Sequence, residues 1–326
     1  MSLLARIFGT SPGGEGAAEA DPLIDRLVAA TDRRLAYVKG YREQLRAPVL
    51  AARERMREAV ARIPGPTEVG TKAWSADTTV RALFARAEDA AAAFSRDEGV
   101  RAFFGAHPGS DCFGMLALEQ RERRVLTSVL QGESVQAEVA RTTVSFTEPQ
   151  ILAPGAGEAA VREELVGRAL EYLALRALQA VGAMRAERHE LEKERALLQA
   201  ELKLARKRGA GFGGMAAEGT PAAEIERDLE STVRELEAAA SRQLLPSLIE
   251  EMARVLGEPR KYLTIEPCTL ALDAMNFAVE PSAATTTPRV AILKLVERPP
   301  YAVLVARFPH GELRADNRLA EAEKFL

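Results

Sequence analysis

Apolar and polar positions alternate in two ways along the chain, with a helical period in some stretches and a strand period in others. The longest unbroken pattern covers residues 158–257. Residues 158–208 follow the breaker Pro154-Gly155-Ala156-Gly157 and contain no proline. At 1.5 Å per residue they predict a helix of roughly 75 Å. Up to Val181 its apolar residues, including Val161, Leu165, Val166, Leu170 and Leu173, wrap most of the circumference. That is the pattern of a helix buried on most sides.

Beyond this point the apolar set narrows to Met184, Leu191, Leu198 and Ala205, each seven residues after the last. This spacing is one seam of a heptad, and the companion seam Val181, Arg188, Arg195, Leu202 is mixed. A return arm starts at Thr220-Pro221, a capping residue with proline at the first helical position. Ile225, Leu229, Thr232, Leu236 and Ala239 then step by four and three. Pro246 should kink or restart the helix, and Leu248, Ile249, Met252, Val255 and Leu256 carry a wide apolar face to Gly257. The spacing therefore predicts an antiparallel coiled-coil helical hairpin over 158–257 with a loop at 208–220. Its seam, Met184, Leu191, Leu198, Leu229 and Leu236, can be filled by the opposite arm or by a second chain.

Residues 1–20 read as a flexible tail whose tip sets Leu3, Leu4, Ile7 and Phe8 on one helix face. Residues 21–107 read as helical. Asp21-Pro22 caps a helix to about Arg46, and Pro48 starts a second that stops before Pro64-Gly65-Pro66. Trp74, Val80, Leu83, Phe84, Ala87, Ala91 and Phe94 give a third helix, and Ser95 with Glu98 gives a capping box for a fourth, ending near His107-Pro108. Residues 111–152 read as a three-stranded β-meander from runs at 113–119, 125–130 and 142–146, with a helix as the alternative for 113–130. Residues 259–309 read as a C-terminal antiparallel β region. Its runs lie at 262–265, 269–272, 276–279, 289–296 and 301–308, the last two flanking Glu297-Arg298-Pro299-Pro300. Residues 310–326 form a charged tail.

The expected fold class is α+β and mainly α: N-terminal helices, the long hairpin, and small antiparallel β segments before and after it. A closed hairpin brings its ends together, so the two β regions should lie side by side.

Composition narrows the function classes. Hydrophobic residues make up 47% of 326 residues, enough for a core, and the net charge of −3 gives no general affinity for nucleic acid or anionic membranes. Cys112 and Cys268 stand far apart without a ligand spacing, which points to a reducing compartment and no zinc site. No apolar run approaches the ~20 residues of a membrane span, and no signal peptide opens the chain. The expected location is cytoplasmic.

Candidate chemistry is sparse. Gly209-Ala210-Gly211-Phe212-Gly213-Gly214 matches GxGxxG, but a charged helix rather than a strand precedes it, so it reads as a flexible turn. His107, Ser110, Asp111 and Cys112 hold acid, base and nucleophile types within one turn, where proline and glycine breakers with local side-chain caps explain every residue. His189-Glu190 lacks the second histidine of HExxH, because Lys193 stands there. The basic run Lys203, Arg206, Lys207, Arg208 ends a helix, where cations offset the dipole. No catalytic, cofactor or metal residues are assigned.

The function expected from these patterns is a non-catalytic interaction or scaffold protein that holds a protein partner, or a second copy, through the coiled coil. Two alternatives stand beside it. One is a peripheral membrane oligomer anchored by Leu3, Leu4, Ile7 and Phe8. The other is an enzyme whose site residues are dispersed in sequence.

Overall fold

The structure, a computed structural model, describes residues 12–131, 134–209, 222–240, 244–268 and 270–314. In chain order they form helices α1 (Pro12–Ala30) and α2 (Tyr41–Ala61), with a 3-10 turn at Arg33–Tyr37 between them. Strand β1 (Thr67–Glu68) and four short helices follow: α3 (Thr71–Ala76), α4 (Thr78–Leu83), α5 (Ala87–Arg96) and α6 (Glu98–Ala106). Strands β2 (Cys112–Gln131) and β3 (Ser134–Gly155) precede helices α7 (Glu158–Gly209), α8 (Ala222–Ala240) and α9 (Leu244–Gly257). Strands β4 (Leu263–Pro267), β5 (Ala291–Leu295) and β6 (Tyr301–Phe308) complete the set.

Two compact units divide the chain: residues 1–50 with 171–257, and residues 51–170 with 258–326. Helices α2 and α7 each run from one unit into the other.

The first unit is helical. Its core takes Ile24, Leu27 and Val28 from α1, Leu45 and Val49 from α2, Leu173 and Ala177 from α7, and Ile249, Met252 and Leu256 from α9. Ion pairs bind the helices at the rim. Arg26 reaches Glu171 at 2.5 Å, and Arg42 reaches Asp21 at 3.1 Å and Asp25 at 2.7 Å.

The second unit is built on a six-stranded sheet of order β3-β2-β6-β5-β4, with β1 parallel to β6. Strand β6 pairs antiparallel with β2, Cys112 opposite Phe308 through Glu119 opposite Tyr301. Side chains alternate across a strand. Cys112, Leu116 and Leu118 of β2 and Ala302, Leu304, Ala306 and Phe308 of β6 thus share one face, packed with Val80, Phe94, Val100 and Phe104 of the short helices. The residues between them, Met115, Ala117, Val303 and Val305, are buried too, so the sheet is covered on both sides. Phe94 stacks on Phe308 with ring centroids 4.5 Å apart.

The two β regions lie side by side in one sheet, as expected. Several other expectations need correction. The meander is a two-stranded ribbon of 20 and 22 residues. Polar residues 119–124 lie inside β2, because beyond Glu119 the strand leaves β6 and pairs only with β3, where exposure tolerates charge. Pro149 and Pro154 conceal β3 in the sequence. They follow Glu148 (φ 52°) and Ala153 (φ 55°), which sit where the β2–β3 register slips, and bulges on an edge strand are where a sheet accepts proline.

Pro22 and Pro48 lie inside α1 and α2 rather than at their starts, and α1 begins within the expected tail. An interior proline costs about 3 kcal/mol; burial of Ile24, Leu27, Leu45 and Val49 offsets it. The third helix is three short ones, and Asp97 rather than Ser95 caps the fourth, accepting from the Val100 amide at 2.9 Å. Ser95 instead accepts from the Arg314 amide. Residues 269–272 and 276–279 form isolated bridges at Leu272, Phe277 and Ala278 in place of strands; Thr269 itself lies outside the described residues. The tip Leu3, Leu4, Ile7 and Phe8, the loop 210–221 and residues 315–326 also lie outside them.

Phe308→Ala should lower the unfolding free energy by about 3–5 kcal/mol in urea titration, the usual cost of deleting a fully buried ring. A loss under about 1 kcal/mol would contradict its central place in the core.

Candidate functional site

The residues with chemical potential in the sequence are dispersed by the fold. His107 closes α6, its ring stacked on Phe103 at 4.6 Å and its Nδ1 3.1 Å from the Phe103 carbonyl. Asp111 faces Arg307 at 3.7 Å. Cys112 enters β2 with its thiol directed to the Phe113 carbonyl, and burial pushes its pKa up to about 11. A thiol so protonated is a poor nucleophile. Burial likewise raises Cys268. Glu190 is paired with Lys193. Among the described residues no group of three or more His, Cys, Asp or Glu is placed to hold a metal ion.

An open cleft of about 600 Å³ in the second unit is lined by Glu68, Ala73, Asp77, Thr78, Thr79, Thr287 and Arg289. A recess of about 280 Å³ at residues 64–68 shares Glu68, Asp77 and Arg289 with it. No local pattern marks it, because its polar groups come from positions 68–79 and 287–289. Asp77 caps α4, accepting from the Thr79 amide at 2.7 Å, and pairs with Arg289 at 3.2 Å. The Arg289 amide donates to the Thr79 hydroxyl. Glu68 is held by Arg307. Each carboxylate of the cleft thus serves a structural partner, and the arrangement fastens residues 287–289 to α4 rather than poising an acid or base.

On α7 and α8, four of the five seam residues are withdrawn from solvent. Leu191, Leu198 and Leu229 are half-buried and Leu236 is buried, as are Leu202, Ile225 and Thr232. Met184 is 39% exposed, because residues 182–190 are exposed at every position. Arg206 of α7 bonds Glu226 of α8 at 2.7 Å. Leu197 and Leu204, absent from the expected seam, are 60% and 55% exposed.

The remaining feature is the ribbon beyond Glu119. On its β3 side it is braced by residues 272–279. The Val144 amide donates to the Asn276 carbonyl, and the Ala278 amide donates to the Thr142 carbonyl. Asp273 organises this loop. Its carboxylate accepts from the Met275 and Phe277 amides at 2.9 and 3.0 Å and from Arg141 of β3 at 2.5 Å. Arg141 also lies over the Phe277 ring, 4.1 Å from its centre. Burial alone would raise the Asp273 pKa; the Arg141 bond and the two amide bonds outweigh it, so the net shift is downward.

A carboxylate with a depressed folded pKa contributes stability above its unfolded value and loses it as pH falls through the folded value. Asp273→Asn should therefore cost about 1–3 kcal/mol at neutral pH, with the deficit constant above about pH 4 and shrinking below it. Unfolding midpoints of both proteins across pH 2–7 read this directly; a deficit that grows on acidification contradicts it.

Comparison of the chain with protein-family models, with curated proteins and with solved structures returns no match.

Proposed function

We propose that the chain is a non-catalytic interaction protein that works through an arm in which α7 and α8 pack as an antiparallel coiled-coil hairpin. Burial supports the hairpin. On α7 the residues withdrawn beyond 190 are Leu191, Leu198, Leu202 and Ala205; on α8 they include Ile225, Leu229, Thr232 and Leu236. Both sets follow heptad spacing. The Arg206–Glu226 bond is what neighbouring stretches of two such helices would make.

The observation that carries the functional reading is the exposure of Leu197 and Leu204, seven residues apart and outside that seam. With the seam filled from within the chain, a partner has this second stripe to use. Glu194, Leu197, Glu201 and Leu204 step by three and four, so they share one helix face. Apolar residues flanked by both charges, Lys193, Glu194, Glu201 and Lys203, suit a partner helix with an apolar stripe and mixed charged flanks, where burial gives affinity and charge gives choice of partner. No helix among the described residues is long and apolar enough to cross a membrane.

Two substitutions separate the seam from the outer stripe. Leu191→Asp with Leu198→Asp should lose helix content by circular dichroism and stability by about 2–4 kcal/mol, since each inserts a charge into a packed position. Leu197→Glu with Leu204→Glu should leave both within about 0.5 kcal/mol of the parent. A photo-reactive side chain at position 204 should trap one discrete partner in cells, and Leu197→Glu should abolish that adduct. No adduct, or one indifferent to Leu197→Glu, contradicts the arm as the binding element.

A further inference from the structure

We infer that the outer edge of β4, with the arginines beside it, docks an extended acidic segment of another protein, which adds to the sheet as a strand next to β4. The site belongs wholly to the second unit, and its argument is independent of the function proposed above.

Strand β4 ends the sheet. It pairs with β5 alone, Leu263 opposite Leu295 through Pro267 opposite Ala291, without a register slip. The Val296 amide donates to the Tyr262 carbonyl, and the Cys268 amide donates to the Val290 carbonyl. In an antiparallel ladder alternate residues bond the same neighbour, so positions 262, 264, 266 and 268 are the ones committed to β5. The backbone amides and carbonyls of Leu263 and Ile265 point the other way, and no described residue bonds them. Pro267 fits this phase. Its missing N–H falls on the outer side, where the ladder needs none. A strand of five residues that ends in Glu266-Pro267 is guarded against indiscriminate pairing, so an added strand must gain from side-chain contacts too.

Those contacts are beside the edge. A recess of about 130 Å³ lies between α2 and β4, lined by Arg55, Met56, Glu58 and Arg62 of α2, by Arg260 and by residues 263–266. Met56, Leu263 and Ile265 are buried, whereas Arg55, Glu58, Arg62, Arg260 and Glu266 are exposed around them. The volume is below the roughly 300–1,000 Å³ of a small-molecule site and suits one side chain of an added strand.

Charge chooses the occupant. Of the two carboxylates at the recess, Glu266 is held by Lys294 at 2.9 Å. Glu58 alone stands against Arg55, Arg62 and Arg260, and Arg62 and Arg260 form no ion pair among the described residues. The recess is thus basic on a chain whose net charge is −3. A guanidinium takes a carboxylate through two parallel hydrogen bonds. Nucleic acid would neutralise the arginines but cannot continue the ladder at Leu263 and Ile265. A peptide strand with glutamate or aspartate at alternate positions does both: backbone bonds give affinity and the arginines select its side chains.

The test uses the full chain and a fluorescein-labelled peptide of about six residues, a usual strand length, in which valine alternates with glutamate. Fluorescence anisotropy should show saturable binding, at least about tenfold tighter than to the same peptide with lysine for glutamate. Arg62→Glu with Arg260→Glu should weaken it at least about tenfold, the share of one charge-assisted hydrogen bond. Circular dichroism should not change, because both side chains are exposed. Methylation of alternate peptide amides separates strand pairing from charge alone, because alternate amides face opposite edges of a strand. Methyl groups on one set should abolish binding, and on the other set should leave it. No saturable binding, binding indifferent to the paired arginine substitution, or equal loss with either methylated set overturns the proposal. A dimer in light scattering that the same substitution dissolves would give the edge to a second copy and overturn it as well. None of these results bears on the arm, whose variants leave α2 and β4 untouched.

Discussion

The antiparallel pairing of β2 with β6 is the interaction on which the second unit depends. It joins Cys112–Glu119 to Tyr301–Phe308, segments nearly two hundred residues apart, in one unbroken register. Every side chain of β6 from Ala302 to Val305 is buried, so both layers that cover the sheet rest on this strand. Closing so long a loop costs entropy that grows only slowly with its length, and the burial of Leu304, Leu116, Phe308 and Phe94 offsets it. The same pairing fixes where β2 parts from β6: beyond Glu119 the strand continues paired with β3 alone.

Each unit carries one long element, the β2–β3 ribbon in the second and α7 with α8 in the first. The ribbon is held upright on its β3 side by Arg141, Asp273 and the bridged loop, and is open on its β2 side. The helical arm, in the reading proposed here, satisfies its own seam and leaves Leu197 and Leu204 outside it. The polar cleft commits its carboxylates to Arg289 and Arg307.

The helices with strong periodicity were legible in the sequence. The span of α7 and the β5–β6 pair, with its proline-rich connection, agree with the expectation almost to the residue. The ribbon was not, because its evidence is tertiary. Polar residues 119–124 look like a break until β6 is seen to stop beside Glu119, and Pro149 and Pro154 look like breakers until the bulges at Glu148 and Ala153 place them on an edge. Pro22 and Pro48 misled for the opposite reason, since packing overrides a local rule. The Asp273 turn had a local signature, an aspartate two and four residues before the amides it binds, but its partner Arg141 lies 132 positions away. Leu197 and Leu204 carry no sequence mark of their own, because only burial distinguishes a seam from the stripe beside it.

The central claim is that α7 and α8 of one chain fill a common seam, so that partners meet the outer face of the arm. Cysteines placed at Arg206 and Glu226, bridged by a short bismaleimide at low protein concentration, test it most directly. The account predicts an intrachain bridge, with the product running as a single chain on a denaturing gel and with both sites joined in one cross-linked peptide. Bridges formed only between chains, or none, would mean that the seam belongs to an assembly and that the arm of a single chain is not closed.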